Sequence, residues 1–102
     1  MAWHVAAKVA AVRKNDVIGV SVAGTELCLG RDGDRLFATQ RRCPHRGTDL
    51  ADGIVARGHL VCPQHAYRFS AETGQHAEAS DYCLQMYPVR VVGDDIEVEI
   101  QA

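Results

Sequence analysis

The sequence predicts an all-β fold, an antiparallel sandwich or barrel, on three observations. Short apolar runs are separated by turn signals at Ala23-Gly24, Arg31-Asp32-Gly33-Asp34 and Gly93-Asp94-Asp95. The final run alternates Ile96, Val98 and Ile100 with Glu97 and Glu99, as a half-solvated strand does. No stretch carries a sustained helical period bounded by caps.

In chain order, residues 3–7 and 9–12 are expected to be two pieces of a first strand, although their alanines and valines also suit a helix. A polar turn at Arg13-Lys14-Asn15-Asp16 follows. Residues 17–22 and 25–29, joined through Ala23-Gly24, read as a β-hairpin. Residues 35–39 form the next strand. Residues 54–56 and 59–61 make a small hairpin around Arg57-Gly58, and 67–69 continue as a strand to the turn at 70–74. Residues 75–83 are a polar loop without assigned structure. Residues 84–92 and 96–100 are the closing strands. Repeats, low-complexity tracts and linkers are absent, so residues 1–102 are expected to be one domain, with an inserted subdomain at about residues 42–70.

The charge is nearly balanced, 11 Lys and Arg against 13 Asp and Glu, which gives no general attraction to nucleic acid or anionic membrane. No apolar run approaches the roughly 20 residues that span a bilayer. Met1-Ala2-Trp3-His4-Val5 has no basic region leading into an apolar stretch, so no signal peptide is expected and the cytoplasm is the expected location.

The chemistry concentrates in Cys43-Pro44-His45-Arg46-Gly47 and Cys62-Pro63-Gln64-His65-Ala66-Tyr67, the pattern C-x-H-x16-C-x-x-H. Each of two short loops offers one thiol and one imidazole, a set that suits a soft metal centre. Two readings use these four residues. In a Rieske-type [2Fe-2S] cluster two cysteines hold one iron and two histidines the other. A Cys2His2 zinc site takes the same ligand types, usually with paired cysteines in one knuckle. Here both knuckles are mixed, which favours the diiron reading. Pro44 and Pro63, two of only three prolines, each follow a candidate cysteine and pre-set a turn. Gly47 is expected to bring its N–H toward a sulfur, a bond that tunes such a centre.

Four cysteines could also form two disulfides, but two of them sit in the ligand loops and the context reads as reducing. Cys28 and Cys83 are expected to be small buried or half-buried apolar residues. His4, His59 and His76 are expected to be surface or structural histidines. Arg41, Arg42, Arg46 and Arg68 flank the loops and are expected to give that end a positive face for acidic redox partners.

The residues CPHRG, Leu50, Gly53, CPQHAYRF and the following Thr73-Gly74 resemble the soluble Rieske ferredoxins of aromatic-ring-hydroxylating dioxygenase systems. The resemblance implies a Rieske-type antiparallel β-sandwich with a small inserted cluster-binding subdomain. It also implies one [2Fe-2S] cluster per chain, held by Cys43, His45, Cys62 and His65. Two ferric ions, two sulfides and two thiolates sum to zero charge, so an added electron meets less repulsion than at an all-cysteine site. That is why histidine ligation raises the potential, to roughly −150 to +300 mV across the class. Respiratory relatives carry an extra cysteine in each loop and a serine facing a sulfide, where this chain has Thr48, Gln64 and Tyr67. A potential at the low end of the class is therefore expected. The family often has a proline in the loop after Thr73-Gly74, whereas Glu78-Ala79-Ser80-Asp81 has none.

The resemblance implies a one-electron carrier rather than an enzyme. Its partners would be an NAD(P)H-dependent flavoprotein reductase and a terminal Rieske oxygenase, met by a monomer through transient complexes. A small subunit of a multi-subunit oxidoreductase such as assimilatory nitrite reductase is the second reading. A zinc-stabilised interaction module is the third.

Overall fold

Leu27, Cys28, Leu29 and Gly30 are buried without interruption. Successive strand side chains point to opposite faces, so such a run needs cover on both sides. The computed structural model supplies that cover. It describes residues 2–44, 47–63, 67–77 and 82–100. The strands are β1 (Ala2–Lys8), β2 (Val17–Val22), β3 (Thr25–Asp32), β4 (Arg35–Gln40), β5 (Ile54–Ala56), β6 (His59–Val61), β7 (Arg68–Ser70), β8 (Met86–Tyr87), β9 (Val89–Val92) and β10 (Asp95–Ile100). Short 3-10 helices occupy Val9–Ala11 and Leu50–Asp52.

Three antiparallel sheets result, in the orders β1-β10-β9, β2-β3-β4-β8 and β5-β6-β7. The second is the middle layer. On one face, Val22, Leu27, Leu29 and Ala38 pack with Ile96, Val98 and Ile100 of the first sheet. On the other, Val17, Cys28 and Phe37 pack with Leu50, Val55, Leu60 and Phe69 of the inserted segment. Each strand of the middle layer therefore contributes alternate residues to two separate cores. The expected hairpin through Ala23-Gly24 forms, with Val22 opposite Thr25 and its second strand running on to Asp32. Ala23 and Gly24 both take positive φ, 50° and 80°, as a tight two-residue hairpin turn requires.

Three expectations need correction. Residues 9–12 are not strand. β1 ends at Lys8, opposite the first residue of β10; beyond it Val9 N–H donates to Asp94 O at 2.9 Å, in the turn that precedes β10, and the chain tightens into the 3-10 turn Val9–Ala11. Its Val12 then enters the first core, 1% exposed. Residues 84–92 are not one strand either. Pro88 lacks an N–H and splits them, leaving β8 beside β4 and β9 beside β10. The 75–83 segment is more than a loop at its ends. Gln75 bridges Cys83, and His76 N–H donates to Tyr82 O at 3.1 Å.

Candidate metal centre

Both candidate cysteines sit where a strand ends and the chain must turn back. β4 runs out at Gln40, and the loop that follows is closed by its own backbone. Cys43 N–H donates to Thr48 O at 2.8 Å, and Gly47 N–H donates to Cys43 O at 2.8 Å. Pro44, with its fixed φ, is the first residue inside that turn, and Gly47 closes it at φ 71°. The Gly47 N–H is thus engaged by a carbonyl, which corrects the expectation that it points at a sulfur. In the second loop Cys62 N–H donates to Tyr67 O at 2.7 Å, linking the end of β6 to the start of β7.

The two thiols share one buried environment. Cys43 is 3% exposed and Cys62 1%, grouped with Leu50, Leu60, Phe69, Ala71 and Leu84, with Tyr67 and Tyr82 packed alongside. None of the four cysteines is in a disulfide. The structure thus brings Cys43 and Cys62 to one core from two separate loops. His45 and His65 lie outside the described residues, as do Arg46, Gln64 and the proline-free stretch 78–81. Among the described residues no three His, Cys, Asp or Glu side chains converge on a point.

Arg41 departs from its expected role. Its Nε donates to Asp49 Oδ1 at 2.6 Å and its Nη2 to Oδ2 at 3.0 Å, a two-pronged ion pair with side chains 24% and 22% exposed. Its charge is matched in place and does not contribute to an open positive face. Arg42 and Arg68 are exposed. Asp49 also accepts from Ala51 N–H at 2.9 Å, capping the 3-10 turn Leu50–Asp52. Its carboxyl is held below the ordinary range chiefly by the bond from Arg41, against desolvation. The pairing spans eight residues and has no sequence signature, so sequence reasoning missed it.

Among the remaining cysteines and histidines, Cys28 is fully buried, and burial pushes its thiol up to about 12. Cys83 is exposed, contrary to expectation, with its sulfur 3.8 Å from Thr73 O and 3.6 Å from Leu84 O. His59 Nδ1 lies 2.9 Å from Arg57 O, and His4 faces Val98 across the β1–β10 ladder. His76 is structural, 8% exposed among Tyr67, Phe69 and Tyr82.

A family model described as the Rieske [2Fe-2S] domain matches residues 2–88. The chain belongs to this family. The Rieske domain is similar to the ferredoxin component of the naphthalene 1,2-dioxygenase system of Pseudomonas aeruginosa, 29% identical over 99 residues, which are 96% of this chain and 95% of that one. The corresponding component of Pseudomonas putida is 31% identical over 90 residues, 87% of this chain and 86% of that one. Among solved structures, the ferredoxin of carbazole 1,9a-dioxygenase from Nocardioides aromaticivorans IC177 superposes with a TM-score of 0.88. It is 26% identical and covers 99% of this Rieske domain and 100% of its own chain.

The cofactor of the Rieske domain is a [2Fe-2S] cluster of the Rieske type, and the donor set fits it. Two buried thiols equal in number the two cysteines that one iron of such a cluster requires, and loops closed beforehand cost less ordering on binding. No helix among the described residues is long and apolar enough to cross a membrane.

Proposed function

We propose that the protein is a one-electron carrier, reduced by an NAD(P)H-dependent flavoprotein reductase and oxidised by a terminal Rieske oxygenase. The observation that carries this reading is the convergence of Cys43 and Cys62, from separate closed loops, in one buried group. Relatives matched over nearly their whole length are named as ferredoxin components of dioxygenase systems, which supports the same reading.

In this proposal Cys43 and Cys62 hold one iron and His45 and His65 the other. When bound, the cluster supplies a site for one reversible electron. The chain does the rest. Leu50, Leu60 and Phe69 keep water from the thiol side. The Cys43–Thr48 and Cys62–Tyr67 backbone bonds hold each thiol at the mouth of its loop. The whole chain acts as one domain with a cluster-binding subdomain at about residues 42–70. It works in the cytoplasm as a monomer, through transient contacts with its partners and without nucleic acid or membrane. Its potential lies at the low end of the class, since Thr48 and Tyr67 stand where high-potential relatives differ.

The test begins with anaerobic purification and assay of iron, acid-labile sulfide and zinc. The reading expects two irons and two sulfides per chain, a red-brown colour and a low-average-g EPR signal after reduction. The reduced protein should then be reoxidised on mixing with an oxidised Rieske oxygenase. A colourless zinc protein, or an iron protein that no such oxygenase reoxidises, overturns it.

A further inference from the structure

The middle sheet carries two glycines where other side chains lie flat on the backbone, and one of those side chains leads directly into the first thiol loop. A Cβ built on Gly30 would collide with the Phe37 ring of the neighbouring strand, an ordinary packing contact within the sheet. A Cβ on Gly19 would lie 2.5 Å from Arg41 Cζ, 2.7 Å from Nη1 and 2.8 Å from Nη2. The guanidinium therefore rests on the bare backbone of β2. Glycine inside a strand costs stability relative to a residue with a side chain, so this position needs a reason, and Arg41 supplies one. Gly19 pairs across the sheet with Cys28, a small and fully buried residue.

We propose that Arg41, forked onto Asp49 and seated on Gly19, is a positioning residue that fixes the Cys43 loop against the middle sheet and thereby sets the geometry of the cluster. This rests on the cluster reading above. Arg41 stands two residues before Cys43, and Asp49 directly follows Thr48, the residue that closes the Cys43 loop. Side chains join these two positions through Nε–Oδ1 and Nη2–Oδ2. Backbone joins them again, by Leu50 N–H to Arg41 O at 2.9 Å and by the Arg42–Asp49 bridge. Both ends of the loop are clamped to each other, and the clamp is pressed onto β2. A planar two-pronged donor fits the seat and the carboxylate together; a lysine ammonium has no plane to lay on Gly19 and no fixed fork matched to the two carboxylate oxygens.

A simple charge effect and a positioning effect separate experimentally. Gly19→Ala leaves both charges present but lifts the guanidinium from its seat. Arg41→Lys keeps the charge and removes the fork. Arg90→Gln is the control, since it breaks the Arg90–Glu97 ion pair at 2.7 Å and the contact of Arg90 with the Trp3 ring, both on the first sheet. For each holoprotein one measures the rate of iron release to a chelator, the reduced EPR spectrum, the reduction midpoint and the urea unfolding curve.

The proposal expects Gly19→Ala and Arg41→Lys each to speed iron release at least about fivefold and to alter the EPR line shape. At a fixed ambient potential the oxidised-to-reduced ratio should change about threefold, which is about 28 mV for one electron. Arg90→Gln should leave release, spectrum and midpoint at wild-type values. If Gly19→Ala accumulates no folded protein, Arg41→Lys decides alone. Wild-type release and midpoint in both loop variants, or equal changes in Arg90→Gln, overturn the positioning role while leaving the carrier reading intact. A wild-type protein without iron and sulfide instead removes the carrier reading, and this proposal with it.

Discussion

The imidazole of His76 stands edge-on to the ring of Phe69, with centroids 5.2 Å apart and planes at 83°. The same imidazole meets Tyr67 at 4.8 Å and 80°. Phe69 and His76 also form a backbone bridge, and Ala77 N–H donates to Arg68 O at 2.8 Å. His76 therefore folds the chain after the Ser70–Gly74 turn back onto β7, beside the second thiol loop. Truncation removes two edge contacts and leaves a cavity, so His76→Ala is expected to lose on the order of 1–3 kcal/mol in urea unfolding. His76→Phe, which keeps an aromatic ring there, should lose less.

The parts of the fold legible in the sequence were those whose signal is local. The turn at Ala23-Gly24 and the alternation of residues 96–100 each depend on neighbours in the chain, and both elements formed as read. The thiol pair was legible for the same reason, since each loop carries its own cysteine and proline. What was missed depends on partners far along the chain. Whether residue 9 continues a strand depends on where β10 begins, some 86 residues later. The guanidinium of Arg41 lies against Gly19 of β2, some 22 residues earlier in the chain. One miss did leave a signal: the third proline, Pro88, marks the strand break.

The cysteines outside the thiol loops should differ sharply in reactivity. The thiolate is the nucleophile, and Cys28, pushed up to about 12 by burial, is almost wholly protonated at pH 8. Cys83 is exposed. Brief iodoacetamide treatment of the native protein, followed by peptide mass spectrometry, should label Cys83 and leave Cys28 unmodified. Denaturant should then expose Cys28. Equal labelling of both in the native state would contradict the buried placement of β3.

Asp49 links stability to acid. Its carboxyl is held below the ordinary range, first by the side-chain bond from Arg41, with desolvation opposing and Ala51 N–H reinforcing. A carboxyl depressed on folding contributes stability that is fully present above its unfolded pKa and is lost as pH falls through the folded value. Asp49→Asn is therefore expected to be less stable than wild type at neutral pH. The difference should shrink as pH drops below the usual carboxylate range. Urea midpoints across that interval measure it, and a difference constant down to the acid limit would show that Asp49 does not titrate with folding.

The two cores separate fold stability from the metal site. Leu50 and Ile96 are both fully buried, but Leu50 packs in the group containing Cys43 and Cys62, whereas Ile96 packs on the opposite face of the middle sheet. Leu50→Ala and Ile96→Ala should each cost about 2–5 kcal/mol. Only Leu50→Ala should also reduce the iron and sulfide retained per folded chain. Equal loss in both variants would mean that the two cores are not independent, and full retention in both would mean that Leu50 does not support the metal site.

Electron transfer to partners should depend on salt. Arg42 and Arg68 are exposed beside the thiol loops, and in the proposed function they are expected to draw the acidic docking surfaces of redox partners. Opposite charges on docking surfaces raise encounter rates, and added salt screens them over a Debye length of about 8 Å at 0.15 M. Second-order reduction rates with a flavoprotein reductase should therefore fall as ionic strength rises. Arg42→Glu should lower the low-salt rate several-fold and flatten the dependence. Arg41→Gln should do less to the slope, because Asp49 already matches that charge in place. Rates indifferent to salt in the wild-type protein would mean that these arginines do not steer the encounter.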